Sequence, residues 1–430
     1  MNRMVRDHAA DVLLMVLAGF TTAIAMSAPS PTAAVFADFP QPASVPLFAV
    51  TTTVVSVFVR KPAFSSGLLG LGIALIGVVA LVDSWDLDPF VTALGAGLLL
   101  GAAAGLKNGP DQRLRQQGLA AGVVAGLLLT APIEYFRFSA PQRYVDFSPD
   151  ANDPADVFLL CLLAVTFAAL LACLHRLRTE PITPAGDRAR ELAIGIAIAV
   201  AGLLLYQSFS DAVMGSDGAS FGPHRWVWGL AVVPLLVLCG LWLPGRRGMV
   251  LIAILAFIAA DSSGALREAD SIWKLLGVAA LVAAGVVVGR RWPRPLAGVC
   301  ALAVVAATAI LNQPPWNNVH VVAVLVVLPF AAAYTVASCL PSSAAVGGTA
   351  LAAPITLSVS LGGVGFGSAP FVAEFGWTAY APLTSGKPVW FADTWQWISM
   401  GVSVGTIALC GFALAALMRR PSEQPAEPCH

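Results

Sequence analysis

Long apolar segments separated by short polar stretches run along almost the whole chain. An α-helix needs roughly 17 to 25 apolar residues to cross the hydrocarbon core of a bilayer. Fourteen segments meet this requirement, at residues 9–28, 44–60, 63–82, 89–107, 116–133, 155–175, 189–208, 226–243, 248–264, 272–289, 295–311, 320–338, 345–363 and 396–418. The pattern therefore predicts an all-α integral membrane protein with about 14 transmembrane helices.

The basic residues between these segments indicate the orientation of the helices. If the N-terminus is cytoplasmic, most of the 24 Lys and Arg residues fall in the even-numbered loops and in the two tails. The basic residues on the other side are Arg137, Arg143, Arg225, Arg267, Lys274 and Lys387. Cytoplasmic loops of membrane proteins carry such an excess of positive charge. The sequence therefore predicts that both termini are cytoplasmic.

The composition supports a lipid environment and excludes several classes of protein. Hydrophobic residues make up 58% of the chain and charged residues 11%, whereas soluble domains carry about 25% charged residues. The net charge is zero, so nothing suggests binding of nucleic acid. The basic residues are almost all Arg, which is typical of a GC-rich bacterial genome. We therefore expect a multi-pass protein of a bacterial cell membrane.

Two stretches of the chain resemble each other and predict an internal repeat. Residues 73–106 and 251–289 each contain an apolar helix ending in Asp-Ser, a short acidic loop and a Gly/Ala-rich helix. This match predicts two parallel six-helix repeats, related by an axis along the membrane normal. The predicted parts are a first repeat (1–178), a cytoplasmic linker (179–188), a second repeat (189–340), an extra helix pair (341–420) with an aromatic extracytoplasmic loop (362–397), and a disordered tail (421–430).

This layout of two parallel six-helix halves with a basic linker resembles that of the major facilitator superfamily. The resemblance implies a cavity between the halves, alternating access, and secondary transport of a small or amphipathic solute. Two alternatives remain open at this stage. One is a non-enzymatic scaffold subunit of a cell-envelope complex, and the other is a transferase that uses a polyprenyl carrier, with Asp38 as its loop carboxylate.

Four acidic residues are candidates for binding substrate or a coupling ion, because ionisable groups inside a membrane are costly and often functional. Asp11 lies about one turn inside the first segment. Asp83 and Asp261 end the third and ninth segments, each followed by Ser. Glu134 follows Pro132, and a Pro near a helix end frees carbonyl groups that can line a cavity.

The aromatic loop before the last segment is a candidate for contact with a protein partner. Trp and Tyr side chains prefer the membrane–water interface. Within this loop the contact candidates are Glu374, Trp377, Tyr380, Trp390 and Trp395. We expect them to form a lid or a docking surface.

The sequence gives no indication of a cofactor or a metal. The five histidines are His8, His175, His224, His320 and His430, and none has a second ligand at the spacing of a zinc or haem site. No nucleotide-binding or nucleophile motif is present. We therefore expect no cofactor and no metal, and these motifs give no support to an enzymatic activity.

Overall fold

The structure is a computed structural model. It describes residues 2–27, 40–59, 61–82, 87–106, 112–138, 154–177, 188–214, 232–244, 246–261, 271–311, 316–340, 343–362 and 394–420. Each of the fourteen predicted segments contains a helix, so the predicted fold class is confirmed. Among the described residues, 7 helices are long and apolar enough to cross a membrane, and further apolar helices are shorter.

The helices are α1 (Asn2–Ser27), α2 (Pro40–Phe58), α3 (Pro62–Leu81), α4 (Asp88–Gly105), α5 (Gln112–Phe138), α6 (Pro154–Leu177), α7 (Arg188–Met214), α8 (Val232–Trp242), α9 (Met249–Ala260), α10 (Ile272–Arg291), α11 (Pro295–Ala307), α12 (Asn317–Ser338), α13 (Ala344–Gly362) and α14 (Thr394–Met418).

Proline residues mark the first turns of two helices, and two helices contain a turn that is not α-helical. Pro62 and Pro295 stand in the first turns of α3 and α11, where a missing backbone N–H costs nothing. α11 tightens into a 3₁₀ turn at Thr308–Leu311. α12 contains a π-helical turn at Ala323–Val327, directly before Leu328 and Pro329.

Burial separates the central helices from the peripheral ones. All 12 residues of α9 are buried, as are the successive residues 95–104 of α4 and 331–338 of α12. α3, α6 and α10 instead expose large apolar side chains such as Leu81, Leu171 and Val287. In water such faces would be unfavourable, whereas in lipid they are solvated by acyl chains. The central helices therefore form the core, and the others form the lipid-facing ring.

The helix contacts divide the molecule into two bundles with the same packing order. In the first bundle (α1–α6), α1 packs against α4, α5 and α6, α2 packs against α4, and α3 packs against α4 and α6. In the second bundle (α9–α14), α9 packs against α12, α13 and α14, α10 packs against α12, and α11 packs against α12 and α14. Each helix of the first bundle thus has a counterpart eight helices later.

This order differs from the repeat that the sequence predicts over residues 189–340. That prediction matched α3 with α9, whereas the contacts match α1 with α9 and leave α7 and α8 as an inserted pair. α7 packs against α2 and α13, and α8 packs against α9. α13 and α14, predicted to be an extra pair, both pack against α9.

Glycines allow the closest helix approach within the first bundle. Gly118, Gly122 and Gly126 are spaced by four residues along the face of α5 that meets α1. A β-carbon at Gly122 would overlap the carbonyl oxygen of Val16 on α1. Small residues at four-residue spacing let helix backbones pack closely in membranes, where van der Waals contact replaces the hydrophobic effect as the main attraction. The α1–α5 contact is therefore a closely packed joint inside the bundle.

Candidate functional site

The two bundles meet at the end of the molecule where most basic residues lie. Here α2, α4 and α12 end, and α5, α7, α9 and α13 begin; we call this the basic end. Its described charges include Lys61, Arg113, Arg188, Arg246 and Arg294. Sequence analysis placed this side of the bundle in the cytoplasm.

Hydroxyl groups connect α2 of the first bundle to α13 of the second bundle. The Thr349 hydroxyl donates to Thr53 Oγ1 over 3.3 Å, and the Thr53 hydroxyl donates to the Ala49 carbonyl over 2.8 Å. Beside them, a β-carbon at Gly348 would touch Ala104 and Ser56. The bundles are thus in direct contact here, through small side chains that leave no room for a solute.

A second connection joins α5 to the end of α12. The buried Gln117 side chain donates through Nε2 to the Ala337 carbonyl over 3.4 Å. Next to it, a small cavity is lined by residues of both bundles: Ala104, Gln116, Leu119, Ala120, Val250, Leu340, Gly347, Gly348 and Leu351. The two bundles therefore enclose a narrow space at the basic end.

A buried carboxylate that sequence analysis missed joins the inserted pair to the second bundle. Glu191 lies in the first turn of α7, only 6% of its surface is exposed, and its Oε1 accepts a hydrogen bond from the Ser343 hydroxyl over 2.6 Å. Ser343 Oγ in turn accepts from the Val346 N–H over 3.2 Å and so caps α13. Glu191 also lines a small cavity with Ile194, Leu243, Leu251, Val346, Thr349 and Ala350.

A carboxylate in the first turn of a helix is favoured by the helix dipole. That preference explains the position of Glu191 in an otherwise Arg-rich segment. Its burial could not be predicted, because it depends on α13, which follows about 150 residues later in the chain.

Asp11 forms an ion pair inside the first bundle. Its Oδ2 lies 2.7 Å from Nη2 of Arg115 on α5, and the two side chains are 13% and 10% exposed. Arg115 lies in the first turn of α5, and Asp11 lies in the half of α1 nearer the basic end. The ion pair connects α1 to α5 beside the glycine contact, so the structure places Asp11 at a joint within one bundle.

We expect Asp11→Ala to destabilise the protein, because removing one partner of a buried ion pair costs about 3–5 kcal/mol. The double variant Asp11→Arg/Arg115→Asp should recover most of the loss, and it places an acid in the first turn of α5, where the helix dipole favours it. Thermal unfolding of the purified protein in detergent measures both effects. Equal melting temperatures for Asp11→Ala and the wild type would contradict a structural role for the pair.

The other predicted site residues are described only in part. Asp261 ends α9 at the end opposite the basic end, and its backbone N–H bonds to the Phe257 carbonyl. Glu134 lies within α5 after Pro132, but its side chain is not among those described. Asp83 and the loop residues Glu374, Trp377, Tyr380 and Trp390 lie outside the described residues, and of Trp395 only the helical backbone in α14 is described.

His320 is a buried polar residue near the start of α12, away from the basic end. Its Nδ1 lies 3.0 Å from Thr308 Oγ1, whose hydroxyl donates to the Val305 carbonyl over 2.6 Å. Since that hydroxyl has one proton, Nδ1 of His320 acts as the donor. The pair connects α12 to the 3₁₀ turn after α11, and both helices belong to the second bundle.

Comparison with known proteins finds similarity in structure but not in sequence. No protein-family model matches the chain, and no curated protein matches it. A structure of a double tryptophan mutant of XylE matches with a TM-score of 0.50 at 15% identity, covering 99% of this chain and 98% of that one. The chain therefore has the fold of XylE along nearly its whole length.

Two further solved structures are similar to the chain. A bacterial homologue of the human drug peptide transporters PepT1 and PepT2 matches with a TM-score of 0.49 at 12% identity, over 96% of this chain and 99% of that one. An inward-open structure of the xylose transporter XylE from E. coli matches with a TM-score of 0.45 at 14% identity, over 98% of this chain and 97% of that one.

Proposed function

We propose that this protein is a secondary transporter that carries a small or amphipathic solute across the bacterial cell membrane by alternating access. The observation that supports this proposal best is the XylE fold over 99% of the chain. XylE is a xylose transporter. In this chain, the fold consists of two bundles with the same packing order, which meet at one end. A scaffold or a transferase has no comparable support among the described residues.

The contacts inside and between the bundles favour movement of the bundles as units. Within a bundle, glycines bring α1 and α5 into backbone contact, and Asp11 pairs with Arg115. Between the bundles, the side-chain hydrogen bonds at the basic end include the neutral Thr53–Thr349 and Gln117–Ala337 contacts. A neutral hydrogen bond contributes only about 0.5–1.5 kcal/mol. Neutral contacts of this strength are compatible with a boundary between the bundles that opens during transport.

The distribution of charge supports an orientation with the basic end in the cytoplasm. α1 begins at this end and α14 finishes there, so both termini would be cytoplasmic. In this orientation the described conformation is closed toward the cytoplasm. Asp261 then lies on the outer side, at the end of the buried central helix α9, where its carboxylate is our candidate for the coupling proton.

Reconstitution into liposomes tests the proposal. Purified protein should take up at least one solute from a panel of monosaccharides and short peptides, and an inwardly directed proton gradient should raise the accumulation. Asp261→Asn should abolish the gradient-driven part but keep solute exchange at equal concentrations, because a neutral amide cannot carry the proton. Undiminished gradient-driven uptake in Asp261→Asn would remove the carboxylate from the mechanism, and no uptake across the panel would count against transport.

A further inference from the structure

The helices that meet across the boundary between the bundles have uncharged central stretches. α13 packs against α2 and α4 of the first bundle, and α5 packs against α10 and α12 of the second bundle. In these six helices the central stretches contain no Asp, Glu, Lys, Arg or His. They are residues 40–58, 89–105, 116–133, 275–289, 321–338 and 344–362. Uncharged side chains therefore form the part of the boundary that crosses the membrane.

The ionisable residues of these helices lie toward the helix ends. Asp88 begins α4, and Lys274 and His320 lie in the first turns of α10 and α12. α5 carries Arg115 in its first turn and Glu134 in its last two turns. A solute halfway along the boundary would therefore meet hydroxyl, amide and apolar groups of these helices, but no charged group.

This arrangement is unfavourable for an ionised solute. A charge that leaves water for the interior of a membrane protein is costly unless an opposite charge compensates it. Ionisable residues within the spans therefore mark the paths of ions and charged substrates in membrane proteins. The buried helix α9 and residues 12–27 of α1 are free of such residues as well. The interior described here is suited to a solute without net or local charge.

Three buried polar side chains near the boundary have atoms that bond to none of the described residues. These atoms are Oγ1 of Thr52 on α2, Oε1 of Gln117 on α5 and Oγ of Ser338 on α12. The side chains are 0%, 1% and 8% exposed. A buried polar atom without a partner is energetically costly and calls for an explanation.

The positions of these three residues provide the explanation. Each lies within about two helical turns of the basic end. Gln117 reaches across the boundary, because its Nε2 donates to the Ala337 carbonyl beside Ser338. When the bundles separate here, the amide and the two hydroxyl groups are free to bond with a solute. Each of these groups is neutral, and each can pair with a hydroxyl or an amide.

We propose that the solute is electrically neutral and carries several hydroxyl or amide groups, and that Thr52, Gln117 and Ser338 bind it as it passes the basic end. The inference rests on the proposed transport function and specifies the chemical class of its substrate. It excludes anions, cations and zwitterions such as free amino acids and unblocked peptides.

Uptake of matched solutes tests the charge of the substrate. The panel contains pentoses, hexoses, polyols and N-acetylated amino-acid amides, each with an acid and an amine counterpart, such as sorbitol with gluconate and glucamine. Initial rates are measured in proteoliposomes at pH 7 without a membrane potential, so that charge itself does not drive uptake. We expect the neutral members that are taken up to enter at least about tenfold faster than their charged counterparts.

Two substitutions test the binding role of the three residues. Ser338→Ala removes a hydroxyl that bonds to none of the described residues, so the melting temperature should not fall. Gln117→Leu replaces the amide with an apolar group of similar size. Each variant should raise the KM of the neutral panel member that enters fastest about fivefold, as expected for the loss of one hydrogen bond to the solute.

Thr335→Val is the matched control. Thr335 is buried one turn before Ser338 on the same helix, and its hydroxyl donates to the Ala331 carbonyl of that helix over 2.6 Å. Loss of this hydroxyl should leave KM unchanged. Wild-type KM values in both Ser338→Ala and Gln117→Leu would overturn the binding role, and so would an equal rise in Thr335→Val.

The outcome for the substrate class is separable from the outcome for transport. A charged solute that enters as fast as its neutral counterpart, above the rate in empty liposomes, would keep transport and refute a neutral substrate. Uptake of no panel member, neutral or charged, would refute both.

Discussion

A disulfide between Thr53→Cys and Thr349→Cys will hold the basic end closed and reduce solute uptake to the level of empty liposomes. The two hydroxyl oxygens lie 3.3 Å apart on helices of different bundles. A disulfide requires β-carbons about 3.5–4.5 Å apart, and two side chains in direct contact can reach this separation with a small shift of their helices. Copper phenanthroline forms the bond in proteoliposomes, and dithiothreitol should restore uptake to the value before oxidation.

The chain offers a matched control within one bundle. Thr21 on α1 and Thr166 on α6 have their hydroxyl oxygens 3.0 Å apart and are both buried. A disulfide between Thr21→Cys and Thr166→Cys should leave uptake unchanged, because both helices belong to the first bundle. If the Thr53–Thr349 disulfide forms fully and uptake continues, the bundles do not separate at the basic end during transport.

Gly122→Leu is expected to prevent stable assembly of the first bundle. A β-carbon at this position already overlaps the Val16 carbonyl on α1, and the rest of a leucine side chain would force the two backbones apart. Extra atoms in a well-packed core cost about 1–3 kcal/mol, occasionally more, and backbone contact leaves no flexible side chain to move aside. We expect little monodisperse protein in gel filtration and a clearly lower melting temperature.

Gly277→Leu is the control for this prediction. Gly277 lies in α10, and a β-carbon there would meet no atom within 4 Å. The same substitution adds the same apolar volume, so it tests packing and not composition. Equal yield and melting temperature for Gly122→Leu and Gly277→Leu would show that the α1–α5 contact is not closely packed.

The positions of the described helices could be predicted from the sequence because a membrane imposes a minimum length on every crossing. Each segment needs a run of apolar residues, and the basic residues between segments verify the count independently. The limits of individual helices were less predictable. α5 continues to Phe138 past Pro132, and α12 begins at Asn317, because capping and packing decide where a helix ends.

Which helices pack against each other could not be predicted from the sequence. Hydrophobic runs specify that a segment is in lipid, but the choice of neighbour depends on where small residues and polar groups meet. The sequence does not show why a glycine is needed at position 195. The structure shows that Thr53 of α2 lies directly against it. Sequence analysis identified Asp11 as a candidate because an ionisable group inside a membrane is energetically costly. Only the structure shows that Asp11 pairs with Arg115 and that Glu191 is buried.

The position of α7 also limits the order in which the chain can assemble during synthesis. Chains fold from the N-terminus as they are made, so α2 and α7 are in the membrane while α13 has still to be translated. Until then Glu191 has no Ser343 to bind, and its carboxylate must remain hydrated at the membrane surface. The groove that buries Glu191 is completed only when the second bundle closes around α9. The joint between α2, α7 and α13 is therefore among the last parts of the protein to form during biogenesis.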